Sequence, residues 1–83
     1  MNWKNENNLL IKTFEFNNFV EVAKFISEFT PICEDIQHHP DFKVFDYRFI
    51  KFELTTHDTG TVSSKDYALS KKLDEVYINT KEK

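Results

Sequence analysis

Glu34-Asp35-Ile36-Gln37-His38-His39-Pro40 places two adjacent imidazoles and a carboxylate about one helical turn apart, just before a proline. Those residue types point to proton transfer, because histidine is the side chain that changes charge closest to neutral pH. The third histidine, His57, falls at the end of the alternating run Leu54-Thr55-Thr56-His57, so all three imidazoles lie within 20 consecutive residues. On a helix Glu34 and His38 share a face, where the carboxylate can fix the imidazole's tautomer, although an ordinary exposed pair has the same spacing. Consecutive helical residues point about 100° apart, so His38 and His39 cannot duplicate each other. One is expected to enter a cleft while the other flanks it. A histidine at a helix end is also accounted for by the helix dipole, which explains one of the pair but not His57.

Other chemistries fit less well. Three histidines and a carboxylate are a familiar ligand set, but adjacent histidines diverge where a metal needs them to converge, and no metal is expected. The single cysteine, Cys33, sits on an apolar helical position and reads as a small buried hydrophobe. With one glycine in the chain there is no nucleophile elbow. Asp66 stands three residues after Ser63, a spacing that a helix cap explains by itself.

The elements that must position these groups can be read from patterning. The chain has 83 residues, 40% hydrophobic and 16% aromatic with nine phenylalanines, enough for one packed core. A domain of this size buries only about 60% of its unfolded surface, so association with further copies would help it. A formal net charge of −3 with scattered basic residues argues against nucleic acid. The absence of a long apolar run argues against a membrane span, and of a signal-peptide core against export; a cytoplasmic protein is the expectation.

Trp3-Lys4 predicts a very short strand, Asn5 to Asn8 a polar break, and Leu9 to Phe16 an alternating strand. Asn17 or Asn18 is a helix cap, followed by a stripe of Phe19, Val22, Phe25, Ile26, Phe29, Cys33 and Ile36. Pro31 predicts a kink or break near Thr30. Phe42 to Val44 reads as a strand, Phe45-Asp46 as a turn, and Tyr47 to His57 as the longest strand. Asp58 to Thr61 forms a loop, and Ser63-x-x-Asp66 opens a last helix with Tyr67, Leu69, Leu73, Val76 and Tyr77 largely on one face. The order is β-β-α-β-β-α, an α+β fold: a four-stranded antiparallel sheet with helices packed on one face. One domain spans residues 1–83, with 79–83 expected to fray because they carry no apolar residue.

Glu34-x-x-x-His38-His39-Pro40, then Tyr47, Thr56-His57 and Asp66, resembles in order and spacing the signature of the pterin-4a-carbinolamine dehydratase family. Trp3, Phe14-x-Phe16, Phe25 and the Ile50-x-Phe52-x-Leu54 strand extend the likeness to about the whole chain. Departures are Phe42 where the family usually has Trp, Thr61 for Gly, Gln37 for an acidic residue, and Pro31 inside the long helix. The resemblance implies dehydration of 4a-hydroxytetrahydropterin to quinonoid dihydropterin and water, which recycles the cofactor of aromatic amino acid hydroxylases. It implies no metal and no organic cofactor. It assigns His38, His39 and His57 as the acid/base set, with Glu34 orienting His38. Glu34, Gln37, Phe42, Thr55, Thr56 and Asp58 would contact the pterin, and Asp66 would support from behind. It also implies a homodimer or homotetramer and a hydroxylase as pathway partner. Two alternatives stand beside the enzyme: a pterin-binding accessory role in molybdopterin metabolism, and a protein-interaction module of coactivator type.

Overall fold

A computed structural model describes residues 3–81. Its elements are β1 (Lys4–Glu6), β2 (Leu9–Glu15), α1 (Phe19–Ile36), β3 (Asp41–Phe45), β4 (Phe49–Leu54) and α2 (Ser64–Lys81). The strands pair antiparallel in the order β1-β2-β4-β3, so the two longest strands lie at the centre. Register sets Leu10 opposite Leu54 and Phe14 opposite Ile50, and the period-two pleat sends these residues to one face. There they meet Val22, Phe25, Phe29 and Cys33 of α1 and Leu69, Leu73 and Val76 of α2. Both helices therefore cover the same side of the sheet, as the patterning predicted.

Aromatic rings fill most of this layer. Phe52 has ring neighbours in Trp3, Phe14, Phe25, Phe29 and Phe42, with centroids 5.4–6.1 Å away. Edge-to-face and tilted pairs of this kind add to the simple gain from removing apolar area from water. Trp3 is tied down at its rim, its Nε1–H donating to Asp74 Oδ1 at 3.2 Å. Lys12 Nζ lies 2.7 Å from the same oxygen.

Several boundaries differ from the sequence reading, each for a local reason. β1 runs through Asn5 and Glu6 because the turn is only Asn7-Asn8, both at positive φ (52° and 62°), which asparagine tolerates. Asn18 rather than Asn17 caps α1, its Oδ1 accepting from the Glu21 amide at 2.9 Å. α1 continues through Pro31 without a break. Ser27 and Pro31 are both exposed, so the Ser27 carbonyl that loses its partner faces water, while the buried face packs on either side of the proline. Phe19 and Ile36, at the ends of the stripe, are exposed, as is Tyr67 of α2. In Tyr67's place Asp66, Ser70 and Thr80 are buried. α2 extends past Asn79 to Lys81, and Thr80 packs inward, its hydroxyl donating to Glu28 Oε1 at 2.7 Å. Glu82 and Lys83 lie outside the described residues.

The strand expected over Tyr47 to His57 is Phe49–Leu54, shorter than β2. At its start Asp46 and Tyr47 take φ of 49° and 53°, turning the chain. For a large exposed side chain such as Tyr47 the left-handed region costs roughly 1–2 kcal/mol, part of which glycine returns as backbone entropy. Tyr47→Gly is expected to raise stability by about 0.5–1 kcal/mol, read as a higher urea midpoint at unchanged slope. A lower midpoint would show that Tyr47 holds the turn by contacts that outweigh its backbone cost.

Candidate functional site

The end of α1 decides where the histidines go. Gln37 caps the helix in the left-handed conformation, φ 53°, and its N–H donates to the Cys33 carbonyl. The His38 amide donates to the same carbonyl at 3.1 Å. The chain has thus left the helix before His38, and the four-residue pairing of Glu34 with His38 does not form. Glu34 instead meets His39, Oε2 to Nε2 at 2.5 Å, both side chains largely exposed. His38 turns inward and its Nε2 lies 2.6 Å from Asp66 Oδ1.

His57 is likewise off the strand that was expected to carry it. Thr56 bridges to Thr61, and its carbonyl accepts the amides of Thr59 (3.1 Å) and Gly60 (2.8 Å), which bends the chain into a loop. The His57 ring projects from this loop toward Asp41 at the start of β3, Nε2 to Oδ2 at 3.6 Å. Between the two segments lies a cleft of about 290 Å³. The α1–β3 connection contributes Gln37, His38, His39, Pro40 and Asp41, the loop Thr56, His57 and Asp58, and α2 its Lys65. All three imidazoles border it, and each has a carboxylate at its Nε2.

The three pairs differ in burial. The His38 side chain is 12% exposed and that of Asp66 0%, whereas His57 is 72% exposed and Asp41 65%. Asp66 is held from several directions: Oδ2 accepts the Ser63 amide and the Thr56 hydroxyl, each at 2.9 Å. Burial pushes its pKa up, but hydrogen bonds from His38, the Ser63 amide and Thr56, with the His38 charge, more than offset this and hold it below its ordinary 3.8. Asp66 is therefore a carboxylate at neutral pH, an acceptor 2.6 Å from His38 Nε2. Cys33 is shifted the other way: burial, then the neighbouring Glu34 charge, push its thiol up, which makes it a poor nucleophile.

The depressed Asp66 pKa has a stability consequence. A carboxyl bound more weakly by protons in the folded than in the unfolded state stabilises fully above its ordinary value, and this contribution is lost as pH falls through the folded value. Urea midpoints of the protein are expected to drop between pH 5 and pH 2, and less steeply in Asp66→Asn. Equal slopes in the two proteins would remove Asp66 as the source.

Of the residues picked for ligand contact, Gln37, Thr56 and Asp58 line the cleft and Glu34, Phe42 and Thr55 do not. Glu34 stands behind His39. Phe42 pairs in register with Phe52 and shares its face, so its ring packs edge-on against Phe29 at 5.5 Å. Thr55 is half-buried one position out of phase with Thr56. The sequence reading missed Asp41 and Lys65, which carry no spacing signal. It also undervalued Asp66. The Ser63-x-x-Asp66 cap does form, but it uses only one of the two carboxylate oxygens, and the second takes His38.

The family model for pterin 4 alpha carbinolamine dehydratase matches residues 1–76. The chain belongs to this family. Relatives named as candidate pterin-4-alpha-carbinolamine dehydratases include one from Sulfolobus acidocaldarius, 43% identical over 74 residues, covering 89% of this chain and 80% of that protein. Another, from Metallosphaera sedula, is 40% identical over 75 residues, covering 90% and 77%. The fold is similar to a transcriptional coactivator/pterin dehydratase from Brucella melitensis, with a TM-score of 0.84 at 21% identity, covering 90% of this chain and 81% of that one. It is also similar to a pterin dehydratase-like protein described as a RuBisCO assembly factor in the alpha-carboxysome, with a TM-score of 0.75 at 16% identity, covering 93% and 90%. Among the described residues no helix is long and apolar enough to cross a membrane.

Proposed function

We propose that this pterin-4a-carbinolamine dehydratase family member dehydrates a 4a-hydroxytetrahydropterin to quinonoid dihydropterin and water by imidazole acid/base catalysis. The observation that carries the reading is the single cleft bordered by His38, His39 and His57, each backed by a carboxylate. Its volume of about 290 Å³ lies just below the ~300–1,000 Å³ of typical ligand sites, in keeping with a small ligand. The reaction breaks the C4a–O bond: the hydroxyl takes a proton and leaves as water, and a ring nitrogen gives up a proton to restore the balance. Imidazoles on either side of one planar ligand suit both transfers without moving the substrate. Gln37, Thr56, Asp58 and Lys65 border the same space, and of these Gln37, Asp58 and Lys65 supply polar contacts to the ring edge.

The pathway follows from the reaction: the product is reduced again to the tetrahydropterin that aromatic amino acid hydroxylases use. A homodimer or homotetramer is part of this reading, supported by the exposed Phe19, Val20, Ile36 and Phe42 on so small a fold. Light scattering at micromolar concentration tests it. Stopped-flow turnover of synthetic 4a-hydroxytetrahydropterin, compared with its spontaneous dehydration, tests the activity. A rate no better than buffer would overturn the proposal. If the pterin binds without being turned over, the accessory reading replaces it.

A further inference from the structure

Thr56 is placed to touch a ligand, yet its hydroxyl is already spent. Thr56 Oγ1 lies 2.9 Å from Asp66 Oδ2 and 2.5 Å from Ser63 Oγ, and the residue is only 8% exposed. A carboxylate only accepts, and a hydroxyl has one proton to give, so Thr56 donates to Asp66 and Ser63 must donate to Thr56. The Ser63 oxygen in turn accepts the Lys65 amide at 3.3 Å. Every proton in the chain Ser63 to Thr56 to Asp66 then has one direction, and His38 Nε2–H enters from the other side at 2.6 Å.

With Oδ2 held by the Thr56 hydroxyl and the Ser63 amide, the carboxylate cannot rotate away from His38 without breaking both bonds inside the protein. Nε2 is consequently protonated in the neutral ring as well as in the cation, and Nδ1 is the nitrogen left to exchange a proton. Thr56 also governs the next residue. Its amide donates to the Thr61 carbonyl at 3.0 Å and its carbonyl gathers two loop amides, so one residue sets both the proton of His38 and the backbone that presents His57.

We infer that Thr56 and Ser63 are positioning residues: their hydroxyls orient the Asp66 carboxylate so that it keeps a proton on His38 Nε2, and His38 trades protons with its ligand through Nδ1. The kinetic side of this inference rests on the dehydratase reading; the tautomer does not.

Nitrogen-15 NMR of the histidine-labelled protein, at a pH where the rings are neutral, reads the tautomer directly and needs no variant. His38 is expected as the Nε2–H form, and an Nδ1–H form would overturn the inference. Thr56→Val keeps the shape and removes the hydroxyl. It is expected to mix the two tautomers and to lower kcat about 10- to 100-fold with KM little changed, the range for losing a group that orients a working imidazole. Thr56→Ser is expected to restore both readouts. Thr56→Val with an unmixed tautomer and full kcat would also overturn it, and so would a folded Thr56→Ser that fails to recover the Nε2–H form. If Thr56→Val does not fold, Ser63→Ala makes the same comparison, because it removes only the outer donor. Should the wild type show the Nε2–H tautomer but no turnover, the dehydratase reading fails and the positioning role stands.

Discussion

His38→Gln is expected to fold normally and to lose about 10²- to 10⁴-fold in kcat for 4a-hydroxytetrahydropterin, the usual worth of a positioned acid/base group. The glutamine amide nitrogen reaches about as far as imidazole Nε2 and can donate to Asp66 in its place. The buried carboxylate therefore keeps its partner, but the side chain cannot exchange a proton. His38→Ala is the instructive contrast, because it also strands a fully buried charge, for which removal of one partner costs about 3–5 kcal/mol. Parallel turnover and urea titrations separate the two effects. Full activity in His38→Gln would mean that the buried dyad is structural and that His39 and His57 carry the chemistry between them.

The largest effect on stability is expected at Phe52. It is fully buried, lies on β4 between β2 and β3, and touches five other rings. Phe52→Ala loses the transfer gain of the ring and leaves a cavity that its aromatic neighbours fill only in part, a cost of about 3–5 kcal/mol. A chain this short has roughly 4–12 kcal/mol of stability in all. The variant is thus expected to lose at least about a quarter of that stability and, at the low end of the range, all of it, read as a lowered urea midpoint. A shift below about 1 kcal/mol would show that Trp3 and Phe42, at the rim of the cluster, move in to close the gap.

The fold was largely legible in the sequence because its signals are periodic. Alternation at Leu10, Phe14, Ile50, Phe52 and Leu54 announces the buried face of a sheet, and the three-and-four spacing from Val22 to Cys33 announces the helix that covers it. Boundaries were less legible where a residue adopts an uncommon conformation without a glycine to advertise it. Asn7, Asn8, Gln37, Asp46 and Tyr47 all take positive φ, and each shortened or moved an expected element. Gln37 had the widest effect. By capping α1 just after Ile36 it moved Glu34 from His38 to His39 and left His38 to Asp66, so helical spacing, sound reasoning for a longer helix, paired Glu34 with the wrong ring.

The site was legible as a set of residue types but not as contacts. Three histidines could be singled out because imidazole is rare and chemically versatile, and the structure gathers them around one cleft. Asp41 and Lys65 reach that cleft only through strand and helix placement, which no local motif encodes. Asp66 was undervalued for a different reason. A capping pattern explained it completely on paper, since sequence spacing counts residues and does not count oxygen atoms.

That shared duty ties the placement of the His38 ring to the integrity of a single helical turn. When the start of α2 opens, Asp66 releases the Ser63 amide and the His38 ring together, so a brief local excursion frees the imidazole while the rest of the molecule stays folded. Deuterium uptake at the amides of Ser63 and Asp66 would accordingly gauge how much of the time the His38 ring is held in place. Improving the helix start with a better capping residue would gain rigidity at the expense of the imidazole it serves.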